Sequence, residues 1–171
     1  MNRSNGLSAM MLVACAAVVL ALGGCKPERV IIFRPGVAYA SAADGTDPTV
    51  SLSADRTSVV TGETVRLTSV VAVPSAETQA AKQVTWRYQI PSGFSLVEAI
   101  GPRPIGNQAT VTWTNPDGSQ GSATSNTVTV VVLGASLSLQ PDANRYVSVQ
   151  CGEIKPGEER AITLTLRYVG E

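Results

Sequence analysis

Apolar and polar residues alternate with a period of two through most of the chain from Thr49 onward. Successive side chains of a β-strand point to opposite faces, so this alternation is typical of strands with one buried face and one solvated face. The runs are centred on Val50–Leu52, Val65–Val73, Val84–Ile90, Val111–Trp113, Val128–Val132 and Ile162–Tyr168. Only Ser75 to Ala81 is a helix candidate in this part of the chain, and it is short.

Turn-forming residues separate the runs, as in Pro91-Ser92-Gly93 and Asn115-Pro116-Asp117-Gly118, the second of which suits a type I turn. Half-polar strands joined by such turns predict an all-β, antiparallel immunoglobulin-like sandwich over residues 49–171. We expect Trp86 and Trp113 to be the large core side chains between its two sheets.

The middle of this region predicts an additional hairpin around residues 105–134. The two strand-like segments Ala109–Thr114 and Asn126–Leu133 flank a polar stretch that is rich in Gly and Ser, and we expect them to pair with each other. The sequence leaves open whether this hairpin is an insertion into one domain or part of a second, incomplete repeat.

The first 25 residues resemble the signal of bacterial lipoproteins. Arg3 provides a basic start, an apolar stretch follows, and Leu22, Gly23, Gly24 and Cys25 match the four positions of the lipoprotein processing motif. The resemblance implies that residues 1–24 are cleaved and that the Cys25 thiol carries a lipid, which makes a durable membrane anchor. An uncleaved signal anchor and an ordinary signal peptide are the alternatives.

Residues 25–48 are predicted to be the lipidated N-terminus and a flexible tether, because their second half is small and polar. The apolar segment Val30–Phe33 is an exception. It suits either a strand that pairs with the domain or a segment near the lipid surface, and the first is preferred. Lys26 replaces the Asp that retains lipoproteins in an inner membrane. The resemblance therefore implies an outer membrane, facing the periplasm or the surface, in a host with two membranes. In a host with one membrane it implies the outer face of that membrane.

Composition narrows the chemistry of the chain, which has 171 residues, 13 basic and 13 acidic residues, and no His. The absence of His excludes a Ser-His-Asp triad, a Cys-His dyad and a His-ligated metal site. The balanced charge argues against a nucleic-acid surface. We expect no metal site, cofactor or catalytic residue, and we expect the acid pairs Asp44/Asp47 and Glu158/Glu159 to lie in solvated loops.

Cysteine use agrees with this view. Cys15 belongs to the signal and Cys25 to the lipid anchor, so only Cys151 remains and no internal disulfide forms. Cys151 is in phase with Val147 and Val149, which predicts a buried, unreactive side chain on the apolar face of a strand.

Three turn segments resemble the bacterial surface-repeat family called domain of unknown function 11, over about residues 49–169. They are the opening Val50–Leu67, the turn Ile90-Pro91-Ser92-Gly93 with its following strand, and the closing Gly152 to Gly157 turn before the last strand. The resemblance implies an immunoglobulin-like module that acts as a spacer or adhesive element of the cell envelope.

Together these features predict a non-enzymatic, lipid-anchored envelope protein that presents an immunoglobulin-like domain for structural or binding roles. The alternatives are an accessory subunit of a secretion or pilus machine, and a hydrolase with an acid-only active site. The expected partners are the membrane, through Cys25, and another envelope protein. The binding residues are not identified by the sequence; the predicted loop tips 101–107 and 115–125 and an exposed strand edge are the candidate contact regions.

Overall fold

The computed structural model describes residues 30–170, and this part of the chain is all-β. Twelve strands follow one another as β1 (Ile31–Ile32), β2 (Ala38–Ser41), β3 (Thr49–Ala54), β4 (Ser58–Val59), β5 (Thr64–Ala72), β6 (Ala81–Gln89), β7 (Phe94–Asn107), β8 (Thr110–Thr114), β9 (Gln120–Thr124), β10 (Val128–Ser136), β11 (Tyr146–Ile154) and β12 (Glu159–Tyr168). Each alternating run of the sequence lies in or around a strand, and the short helix candidate Ser75–Ala81 is not helical.

Residues 30–170 form two larger sheets and two small ones, and every strand pair in this part of the chain is antiparallel. The five-stranded sheet has the order β10-β7-β12-β5-β3, and the three-stranded sheet has the order β11-β6-β2. Strands β1 and β4 make one two-stranded sheet, and β8 and β9 make the other. The predicted all-β, antiparallel class is therefore confirmed.

The core lies between the two larger sheets, because its buried side chains come from both. Trp86 of β6 is 1% exposed and stacks on Tyr88, with ring centroids 6.1 Å apart. Its indole Nε1 donates to Ser69 Oγ of β5 at 2.9 Å, and Ser69 Oγ donates to the carbonyl oxygen of Ser51 at 2.8 Å. This chain of bonds joins the sheets and satisfies the Trp86 indole and the Ser69 hydroxyl.

Cys151 is a free, fully buried thiol in β11, as its phase predicted. Burial raises its pKa to about 11, and a backbone hydrogen bond involving Trp86 and the charge of Arg160 oppose the shift only in part. The reactive thiolate is therefore suppressed at neutral pH.

The segment predicted as a tether belongs, over its described part, to the folded domain. Ile31 pairs with Val59, and Phe33 is 3% exposed and packs edge-on against Phe94 with ring centroids 5.0 Å apart. Strand β2 then pairs with β6 and completes the three-stranded sheet. The preferred strand interpretation of residues 30–33 is confirmed. A flexible tether over the whole of 25–48 is wrong, because small side chains such as Ala38 and Ala40 pack against the core.

The domain has two distinct ends, set by the direction of β7. The terminal pole is the end where β7 begins at Phe94, beside Phe33, and where Val169 bonds to Gly93, so both ends of the described chain lie there. The arm pole is the opposite end, where β7 finishes at Asn107 and continues towards β8.

The prediction of a loop tip at residues 101–107, made from Gly101-Pro102-Arg103-Pro104, is wrong. These residues form the second half of β7 and pair with β10, Arg103 opposite Val132 and Asn107 opposite Val128. The ladder between β7 and β12 ends at Ile100, so among the described residues the two prolines lie where β10 is the only strand that pairs with β7. Fewer backbone donors are needed there, which explains why a strand tolerates two prolines.

Candidate binding site: the β-arm

A two-stranded ribbon, which we call the arm, extends from the arm pole. It consists of residues 103–132, in which the ends of β7 and β10 form the base and β8, β9 and their turn form the distal half. The predicted pairing of Ala109–Thr114 with Asn126–Leu133 is wrong. Strand β8 pairs instead with β9, Thr110 opposite Thr124, while β10 pairs with β7. The hairpin is thus longer than predicted and continuous with the five-stranded sheet.

The tip of the arm is the predicted type I turn, which the structure confirms. Gly118 N donates to the carbonyl oxygen of Asn115 at 2.9 Å, and Gly118 has a φ of 86°, which favours glycine. Asp117 Oδ1 accepts bonds from the Ser119 amide at 2.9 Å and hydroxyl at 2.7 Å. These two bonds lower the pKa of Asp117. Of the predicted tip 115–125, only residues 115–119 are the turn, since residues 120–124 form β9 and Ser125 follows that strand.

Trp113 lies on the arm and not in the core, which corrects the sequence prediction. Its side chain is 46% exposed, and its indole crosses Gly121, where any Cβ would clash with the ring. Indole Nε1 donates to Asn115 Oδ1 at 2.9 Å, which fixes the ring beside the turn. An exposed, oriented indole is typical of a contact surface, because it offers large apolar area with little freedom to lose.

Aliphatic side chains are exposed along the base of the arm. Val128, Val130 and Val132 alternate along β10, and Ile105 is paired with Val130, so the four share one face. Val130 is 60% exposed, and the other three are also exposed. The opposite face contains Val131, which lies against Gly152 of β11. The face of Val130 therefore points away from the domain, and we call it the arm stripe.

The arm is also almost free of charge. Between Pro104 and Pro141 the only charged residue is Asp117. Strand β10 is an edge of its sheet, so one side of it has no neighbouring strand among the described residues. An edge strand without Lys, Pro or inward charges is open to pairing with another strand. The arm therefore combines exposed apolar side chains with free backbone groups.

Two open grooves flank the domain. One, of about 580 Å³, lies between the first half of β7 and residues 137–141, and the guanidinium of Arg145 lines it. Arg145 donates to the carbonyl oxygens of Ile90, Pro91 and Phe94 at 3.1, 2.7 and 2.6 Å. The guanidinium therefore stabilises the turn between β6 and β7. Because its N–H groups are used in this way, the groove has no free cation for an anionic ligand.

The second groove, of about 590 Å³, lies between the base of the arm and the turn after β11. Two acids line it, Glu153 and Glu158, and Glu158 accepts from Arg160 at 3.0 Å and from the Lys155 amide at 3.2 Å. The Lys155 amide bond, followed by the Arg160 contact, lowers the pKa of Glu158. A carboxylate held in this way is poorly suited to act as a general acid near neutral pH.

The other acidic residues named in the sequence analysis do not form a common site with Glu158. Asp44 pairs with Lys82 at 3.4 Å on the surface, and Asp47 and Glu159 are exposed. Within residues 30–170, no group of three or more His, Cys, Asp or Glu side chains is arranged to hold a metal ion.

Leu22, Gly23, Gly24 and Cys25 lie outside the described residues, so the lipidation motif stays a prediction. Among the residues that are described, no helix has the length and hydrophobicity needed to cross a membrane. No protein-family model matches the chain, and comparisons with curated proteins and with solved structures find no match. The resemblance to surface-repeat domains therefore still depends on the turn residues alone.

Proposed function

We propose that the chain is a non-enzymatic lipoprotein of the cell envelope that uses the arm to bind another envelope protein. In this proposal a lipid on Cys25 holds the terminal pole at the membrane, and the domain directs the arm outward. The observation that supports it most directly is that the described chain begins at one end of the domain and the arm extends from the opposite end. The described chain begins beside Phe94, at the start of β7, and the arm leaves from the end of the same strand.

The reach of the arm suits a contact element. From Phe94 to Asn115 the chain advances 21 residues, which at about 3.3 Å per residue gives a span of at most roughly 70 Å. A contact surface at that distance from the terminal pole would clear the lipid headgroups.

The domain that supports the arm is proposed to be immunoglobulin-like. The chain passes from the five-stranded sheet to the three-stranded sheet between β5 and β6, and it returns between β6 and β7. It crosses again before and after β11. Repeated crossing between two antiparallel sheets supports a Greek-key sandwich of this kind.

A subunit of a larger envelope assembly, such as a secretion or pilus machine, is the second candidate. The arm stripe favours it, because a contiguous apolar surface along a free strand edge is suited to a permanent interface. The two candidates share the arm as contact site and differ in whether the partner stays bound.

The anchor is tested by replacing Cys25 with Ala. We expect the wild-type protein to fractionate with membranes and to incorporate a fatty-acid analogue, and the variant to lose the label and the membrane association. An unlabelled wild type with unchanged fractionation in the variant would refute the anchor.

The binding role is tested with a photo-crosslinking amino acid at Val111 on the arm, and at Ser53 on the distant edge strand β3 as the control. We expect a discrete adduct in intact cells from the arm position only. A shortened variant, in which Asn-Gly replaces residues 110–124, should abolish partner capture at a second crosslinker placed at Val130. Ser125 N already bonds to the Ala109 carbonyl oxygen at 2.8 Å, so a two-residue turn closes the shortened hairpin without strain. Equal adducts at Val111 and Ser53, or no adduct at either, would refute the role of the arm.

A further inference from the structure

An exposed apolar segment begins the described chain at the terminal pole. Val30, Ile32 and Val37 are exposed, and Ile32 is 72% exposed. Their neighbours Ile31 and Phe33 turn towards the domain, and Phe33 belongs to its core. Because side chains alternate along β1, Val30 and Ile32 point away from the core.

The charges of this segment suit a lipid surface. From Arg29 to Ala43 the sequence contains no acidic residue, and the side chain of Arg34 is exposed between Ile32 and Val37. Tyr39 is exposed as well. Aliphatic, Tyr and Arg side chains together are typical of membrane interfaces, where apolar parts enter the headgroup region and basic groups meet anionic lipids.

The length of chain before this segment identifies the lipid bilayer as the surface that covers it. Only four residues lie between Cys25 and Val30, so the five Cα-to-Cα steps between them span at most about 18 Å. With a lipid on Cys25, the terminal pole is therefore kept next to the bilayer.

We infer that the terminal pole rests on the bilayer, with Val30, Ile32 and Val37 inserted at headgroup level. The inference depends on the proposed lipid at Cys25, and it adds a defined orientation to a simple tether. The domain then stands on the membrane surface with its arm directed outward.

The test uses the full processed chain in vesicles of phosphatidylethanolamine and phosphatidylglycerol that contain spin-labelled quencher lipids. An environment-sensitive fluorophore is attached to Ile32→Cys or Val37→Cys at the terminal pole, and to Thr112→Cys on the arm or Ser53→Cys on β3 as controls. All four positions are exposed, and buried Cys151 does not compete for the label. We expect quenching at both pole positions to be about fivefold stronger than at the controls, since interfacial side chains lie within the headgroup region.

Mass spectrometry of the same samples separates the two possible failures. An acylated Cys25 with pole quenching no stronger than at Thr112 would overturn the inference and leave the proposed anchor intact. A Cys25 without acyl chains would overturn the proposed anchor and this inference with it. Strong quenching at Ile32 and Val37 together with acylated Cys25 would support both.

Discussion

The buried thiol of Cys151 predicts a specific loss of stability at alkaline pH. Burial raises its pKa from 9.0 to about 11, so the folded protein keeps the proton at pH values where the unfolded chain releases it. The stability contributed by this difference is fully present below pH 9 and is lost as the pH rises through 11. A difference of about two pKa values corresponds to roughly 2–3 kcal/mol in total, of which about 1 kcal/mol is lost by pH 10.

The measurement is urea denaturation of the purified protein at several pH values between 8 and 10.5, with Cys151→Ala as the matched control. Burial also raises the pKa of Tyr88, and every exposed group titrates in both proteins, so the comparison isolates Cys151. The variant starts with a lower free energy of unfolding because a buried sulfur is lost. We expect its curve to decline less steeply, by about 1 kcal/mol at pH 10. Parallel curves would show that the thiol is solvated in the folded protein and would refute the reasoning.

Three further predictions concern the core and the arm. Ser69→Ala should destabilise the protein by about 1–3 kcal/mol in urea denaturation, because the Trp86 indole loses its buried acceptor; a loss below about 0.5 kcal/mol would contradict this. Tyr88→Phe should change the free energy of unfolding by less than about 1 kcal/mol or stabilise the protein, since the buried hydroxyl makes no hydrogen bond of good geometry and only the Gly36 backbone acts on it. A larger loss would contradict this. Trp86→Ala should cost about 3–5 kcal/mol, whereas Trp113→Ala should cost under about 1 kcal/mol, and similar values would place both rings in the core.

The two tryptophans show how far alternation in the sequence can be interpreted. Both occupy apolar positions of alternating strands, and the pattern correctly predicts a strand around each. Alternation identifies which residues share a face, but it does not reveal whether another sheet covers that face. Trp86 faces a second sheet, whereas Trp113 belongs to a ribbon that extends past both sheets.

Two of the strands that escaped prediction, β9 and β2, did so for a related reason. Strand β9 has the sequence Gln-Gly-Ser-Ala-Thr and β2 has Ala-Tyr-Ala-Ser, and neither contains the β-branched or aromatic alternation that marks a strand. Both are strands because a neighbour offers a free edge, β8 to the first and β6 to the second. Such pairing is decided by tertiary structure, and local propensity does not record it. Cys151, by contrast, lies within a strong alternating run, and its burial was predictable.

The arm has a physical consequence for the kind of partner it suits. A two-stranded ribbon with solvent on both faces is marginally stable alone, so its distal half depends on the base, where β7 and β10 continue the five-stranded sheet. Exposed Val111 and Trp113 are not buried by that sheet, so their burial against a partner would stabilise the arm further.

A partner that adds a strand to the free edge of β10 and covers the arm stripe would supply both the backbone hydrogen bonds and the apolar burial that the arm lacks. A partner that contacts only the charged surface of the domain would supply neither, because Arg103 and Asp117 are the only charged residues of the arm. The arm is therefore better suited to an extended, largely apolar segment of another protein than to a charged polymer or a small ligand.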